Sequence, residues 1–175
     1  MSAPFAIREL DHLVLRVHDA AKVQAFYVEV LGCTVEKVQP DIGLIQLRAG
    51  RSLIDLVGVD GKLGRLGGAA PGKEGRNLDH LCLRVEPFHA EAIRAHLRAA
   101  GADPGPVESR YGADGQGPSI YLHDPEGNMV ELKGPPLPNI SLAEDAPLRQ
   151  LSLDDLKQIE AQEEAEHLDR IYHRS

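Results

Sequence analysis

The chain of 175 residues contains no tryptophan, and aromatic residues make up only 4% of it. Surfaces for stacking bases are therefore scarce, and a formal charge of -8 leaves no excess of Lys and Arg to displace counterions from a phosphate backbone. No nucleic-acid partner is expected. No stretch approaches the roughly eighteen apolar residues of a membrane span. The first residues, MSAPFAIRELDH, lack the basic and apolar blocks of a secretory signal, so no membrane association is expected either. Cysteine is nearly absent too: Cys33 and Cys82 have no C-x-x-C spacing, which points to reduced, buried thiols and a cytoplasmic protein. What the chain does have is 42% hydrophobic residues, mainly Leu, Val, Ile and Ala, enough for a packed interior.

The strongest internal signal is a repeat. Leu10 to Val17 reads LDHLVLRV and Leu78 to Val85 reads LDHLCLRV, with seven of eight positions identical. Both alternate as half-buried strands do: Leu13, Leu15 and Val17 on one face, His12, Val14 and Arg16 on the other. In the second copy Leu81, Leu83 and Val85 oppose His80, Cys82 and Arg84. A helical pattern follows each strand. The first is DAAKVQAFYVEVLG, with Asp19 as N-cap and Gly32 as terminator; the second is PFHAEAIRAHLRAAG, ending at Gly101. Three strand-like runs then follow in each copy: Thr34–Val38, Gly43–Leu47 and Arg51–Val57, matched by Asp103–Ser109, Pro118–His123 and Asn128–Lys133. DPEGN at Asp124–Asn128 is turn chemistry between the last two.

The expected architecture is α+β, built from two β-α-β-β-β modules at residues 7–57 and 78–134. A Gly-rich connector, read as mobile, joins them over 58–77. Residues 135–175 open on Pro135, Pro136 and Pro138 and continue as an acidic helix from a Ser152/Asp155 capping box through Tyr172. Leu153, Leu156, Ile159, Leu168 and Ile171 give that helix an apolar stripe to bury on the modules or on a second subunit.

The repeat also duplicates chemistry. His12 and His80 stand at equivalent strand positions, on the faces away from the helices. The last strand of each module holds an acid between apolar residues: Asp55 in LIDLVG and Glu131 in MVELKG. An acid in that setting needs a partner. Single strand histidines are usually satisfied locally, but two at repeated positions, each with an acid on the repeated last strand, point to a shared divalent metal. Two imidazoles with one or two carboxylates suit Zn, Ni, Co, Mn or Fe(II), and the residues do not choose among these.

LDHLVLRV, AFYVEVLG, LDHLCLRV and YLHDPEGNMVEL resemble the superfamily of vicinal-oxygen-chelate proteins that includes glyoxalase I, bleomycin-resistance proteins and extradiol dioxygenases. The resemblance runs from Ile7 to Gly134. It implies paired modules forming a cupped mixed sheet around a metal that receives two vicinal oxygens of a small substrate, with His12, His80 and Glu131 at the metal positions. Asp55 falls where glyoxalase I enzymes carry a glutamate that acts as ligand or base, and it is one methylene shorter. The implied activity is a glyoxalase I-like lyase or isomerase in which Glu131 or Asp55 moves a proton between neighbouring carbons. An Fe(II) extradiol-type dioxygenase and a metal-free antibiotic-binding resistance protein are the alternatives. Fosfomycin-modifying enzymes share the three ligands, but Val14 stands where they carry a threonine. Ser119, Tyr121 and His123 share one strand parity and, with Arg110, are candidates to touch substrate; Arg110 and Lys133, with Lys62, Arg65, Lys73 and Arg76 of the connector, could attract an anionic one, but solvated surface charge is the preferred reading. A homodimer is expected, with the modules pairing within a chain or between two. His18, His89, His96, His167 and His173 are assigned no chemistry.

Overall fold

A computed structural model describes residues 5 and 7–136. The acidic helix expected from Ser152 to Tyr172 lies outside the described residues. The chain divides between Asn77 and Leu78 into two compact units. In the first, β1 (His12–Val17) leads into α1 (Ala20–Ala25), then β2 (Thr34–Gln39), β3 (Leu44–Ala49) and β4 (Ser52–Gly58). Its sheet has the order β1-β4-β3-β2, with β1 parallel to β4 and the other pairs antiparallel. The second unit repeats this with β5 (His80–Arg84), α2 (Ala90–Ala99), β6 (Val107–Gly112), β7 (Gly115–His123) and β8 (Met129–Lys133), in the order β5-β8-β7-β6. Two mixed four-stranded sheets of the β-α-β-β-β kind are thus what the repeated sequence builds.

The period-2 pattern sorts each sheet into an apolar and a polar face. In the first unit Leu15, Val17, Ile54, Leu56 and Leu47 are buried, as are Val23, Phe26 and Tyr27 of the helical segment, and α1 packs on β4 and β3. In the second, Leu81, Val130, Leu132, Ile120, Leu122 and Val107 are buried, along with Phe88 and Leu97. The central strands β4 and β8 are buried on both faces: Ile54, Asp55, Leu56 and Val57 in one, Val130, Glu131, Leu132 and Lys133 in the other. Each sheet therefore draws its candidate acid into its interior.

Several local features depart from the sequence pattern. Asp19 caps α1 through a bond from the Lys22 N–H to its carboxylate, but the helix widens into a π-turn over Phe26–Val30. Val23, Phe26 and Tyr27 are buried as helical spacing predicts, while Val30 and Leu31, at the end of the π-turn, are half-buried. The strand expected from Asp103 begins only at Val107, because Pro104 and Pro106 have no N–H to give a ladder. Cys82, expected to be buried, is exposed, since it shares the parity of His80 rather than that of Leu81 and Leu83.

Part of the connector is bonded to β1. The Arg16 guanidinium donates to the carbonyls of Gly64, Gly68 and Ala69, each at 2.9 Å, and so fastens this segment to β1. Gly64 is obligatory there, because a Cβ would come within 2.1 Å of the Gly58 carbonyl oxygen. The equivalent arginine of the second unit, Arg84, makes a 2.7 Å ion pair with Asp114 in the turn between β6 and β7. Arg16→Ala removes three charge-assisted bonds. Limited trypsin digestion should then cut at the exposed Arg65 several times faster than in the wild type, while the sheets persist. Equal cleavage rates would show that the segment holds itself.

Candidate functional site

The first His–acid pair is set by strand register. Val14 lies opposite Asp55 in the parallel β1–β4 ladder, so His12, two residues before Val14, projects on the same face as Asp55. The Asp11 carboxylate, 2.8 Å from His12 Nδ1, raises the histidine pKa, and the negative charge of Asp55 adds to this. Asp55 is only 6% exposed. Its desolvation is offset by Gln46, its cross-strand neighbour on β3, whose amide donates to both carboxylate oxygens at 3.0 and 3.2 Å.

The second pair has the same register. Cys82 lies opposite Glu131 in the parallel β5–β8 ladder, and His80 stands two residues before Cys82. Here the pair is in contact: His80 Nε2 is 3.2 Å from Glu131 Oε2, and His80 Nδ1 is 2.8 Å from Asp79 Oδ1. The other oxygen of Glu131, which is 4% exposed, accepts a 2.5 Å bond from the Ser119 hydroxyl. Tyr121, opposite Glu131 on β7, sets its ring edge-on to His80 with centroids 5.7 Å apart. Burial and the facing Glu131 carboxylate push its phenol up to about 12, with Arg110 pulling the other way.

The remaining candidates divide. Arg110 stacks over Tyr121 at 5.7 Å but is ion-paired with Glu108, so its charge is already matched. Lys133 is buried and donates to the carbonyls of Arg110 and Gly117. His123 shares the face of Tyr121 but is exposed at the end of β7. Three supporting residues were not identified from sequence: Asp11, Asp79 and Gln46. The first two were visible as the duplicated LDH, and Gln46 in the alternation of LIQLRA. Among the described residues no group of three or more His, Cys, Asp and Glu side chains is gathered to hold a metal; each unit by itself supplies two such donors.

A family model described as the Glyoxalase/Bleomycin resistance protein/Dioxygenase superfamily matches residues 9–132. The chain belongs to that superfamily. The match spans both His–acid pairs and stops at Leu132, within β8. Glyoxalase domain-containing protein RDO1 of Mycosarcoma maydis is 36% identical over 129 residues, 73% of this chain and 68% of its own. Mitochondrial methylmalonyl-CoA epimerase of Homo sapiens is 26% identical over 133 residues, 71% of this chain and 72% of its own. Among solved structures, virulence protein STM3117 from Salmonella typhimurium superposes with a TM-score of 0.60 at 29% identity, over 75% of this chain and 99% of that one. The superfamily includes enzymes, and its name also covers bleomycin resistance proteins.

Two measurements test the environment of the acids. Gln46→Ala strands both oxygens of a buried carboxylate, so chemical denaturation should show a loss of about 1–3 kcal/mol; an equally stable variant would mean that Asp55 gains nothing from Gln46. Cys82 is exposed as a residue, yet desolvation of its thiol and the adjacent Glu131 carboxylate push its pKa up to about 11. Its alkylation by iodoacetamide, followed by peptide mapping, should at pH 8 run roughly tenfold to a hundredfold slower than that of a free thiol. The rate should still be climbing above pH 10, and a plateau near the ordinary thiol value would contradict this account.

Proposed function

We propose that this superfamily member is a metal-dependent enzyme of the glyoxalase I-like type, acting on a small substrate that chelates the metal through vicinal oxygens. The observation that carries the reading is the repeated register: in each unit the residue facing the acid lies two positions after the histidine. His12, His80 and Glu131 are the proposed ligands, with Asp55 as fourth ligand or base. The donor chemistry fits a borderline divalent cation such as Zn, Ni, Co, Mn or Fe(II). One separation, within the second unit, is compatible with this. Two donors about 2.1 Å from one cation stand about 3.0–3.4 Å apart, and Nε2 of His80 and Oε2 of Glu131 are separated by 3.2 Å.

A divalent metal held by His12, His80 and Glu131 would supply Lewis acidity that polarises a carbonyl and acidifies the neighbouring C–H. The chain's own groups then do the rest. Ser119 holds one oxygen of Glu131 so that the other is directed toward His80, and Gln46 fixes both oxygens of Asp55. In this reading Glu131 or Asp55 would accept the proton from carbon and return it to the same carbon or its neighbour. Similarity to an epimerase supports this class of step, since inversion at an acidic carbon also needs a proton removed and returned. Tyr121 borders the pair, which supports a role for it, among the candidates named above, in contacting substrate.

Purified protein should carry about one divalent metal per chain by elemental analysis, and His80→Ala should lose it. With hemithioacetal and thioester substrates, Asp55→Ala or Glu131→Ala should lower turnover by about 10²–10⁴-fold. Full activity in both variants would reject the proton-transfer step. Oxygen-dependent cleavage of a catechol would favour the dioxygenase reading, and tight drug binding by metal-free protein would favour the binder. Mixing His12→Ala with His80→Ala protein distinguishes assembly within a chain from exchange in a homodimer, because only exchange restores an intact ligand set.

A further inference from the structure

Each candidate ligand histidine follows an aspartate, and in both units that aspartate makes the same contact. Asp11 Oδ1 lies 2.8 Å from His12 Nδ1, and Asp79 Oδ1 lies 2.8 Å from His80 Nδ1. The two aspartate side chains are 90% and 93% exposed, so neither contributes to a core. A carboxylate with no packing role that recurs at both repeated positions, on the same ring nitrogen, calls for an explanation in terms of the ring it holds.

We propose that Asp11 and Asp79 are positioning residues that retain the proton on Nδ1 of His12 and His80 and so present Nε2 of each ring as the electron-pair donor to a divalent cation. This rests on the metal reading above and adds which nitrogen binds and what orients it. A neutral imidazole carries its proton on one nitrogen and its lone pair on the other, and a carboxylate that accepts from Nδ1 makes Nε2 the more basic of the two. In His80 that nitrogen is the one facing Glu131 Oε2. The ring is thus held by a carboxylate on its outer side and meets the second donor on its inner side. The same bond limits rotation about the Cβ–Cγ axis, which for an exposed or half-exposed ring is otherwise broad.

The test uses the full chain and Co(II), whose ligand-field absorption reports nitrogen and oxygen coordination directly. Wild type, Asp79→Ala, Asp79→Asn and the Asp11→Ala/Asp79→Ala double variant are titrated with cobalt, and their thermal melting is recorded without added metal. Cobalt should bind about 10- to 100-fold more weakly to Asp79→Ala, more weakly still to the double variant, and with part of the affinity recovered in Asp79→Asn, whose amide oxygen still accepts a hydrogen bond but lacks the charge. Melting should not change. In the zinc-loaded wild type, ¹⁵N spectra should show His80 protonated on Nδ1. Cobalt affinity equal to wild type in the double variant overturns the role of the aspartates and leaves the metal reading standing. A wild-type chain that takes up no cobalt overturns both.

Discussion

A carboxylate in the interior of a sheet is the constraint around which the rest of each unit is arranged. Asp55 and Glu131 sit on central strands and are 6% and 4% exposed. Taking such groups out of water costs several kcal/mol unless bonds replace the lost hydration. Neighbours on the adjoining strands supply these bonds, Gln46 for one and Ser119 and His80 for the other. The polar faces of β3 and β7 therefore need no separate explanation: they are what central acids require.

Duplication gives the two units one register but different surroundings. A slip of one residue between β1 and β4, or between β5 and β8, would turn the histidine to the apolar face. The alternating Leu, Val and Ile residues forbid it, so the hydrophobic pattern that forms the sheet also aims the imidazole. Beyond register the copies diverge. The first acid is held by an amide, the second by a hydroxyl, an imidazole and an aromatic ring with Arg110 over it. Even the paired arginines differ, Arg16 fastening the connector through backbone carbonyls and Arg84 gripping a hairpin turn through Asp114.

Superfamily membership narrows the fold far more than the reaction, because a superfold hosts many chemistries and its sites must be argued residue by residue. What distinguishes this chain is the set of groups on its polar faces. Arg110 is ion-paired with Glu108, and Lys133 is buried with its ammonium donating to backbone carbonyls. Ser119 and Tyr121 instead bear on Glu131, which gives them a definite relation to the proposed proton carrier.

The module order, the strand faces and the His–acid duplication were legible in the sequence because each rests on local rules: a period of two, a helical stripe, a glycine stop, and repetition of all three. His12, His80, Asp55 and Glu131 could be picked out for the same reason. The π-turn, the late start of β6, the exposure of Cys82 and the fastening of residues 64–69 by Arg16 were not, apart from hints in the prolines and in parity. The last of these depends on partners brought together from distant parts of the chain, Arg16 meeting carbonyls about fifty positions away. By itself the sequence determined which residues lie on which face of which strand, since side-chain alternation follows directly from backbone geometry. Only the tertiary structure decided what each buried acid touches, because a carboxylate takes whichever donor the neighbouring strand's register sets beside it.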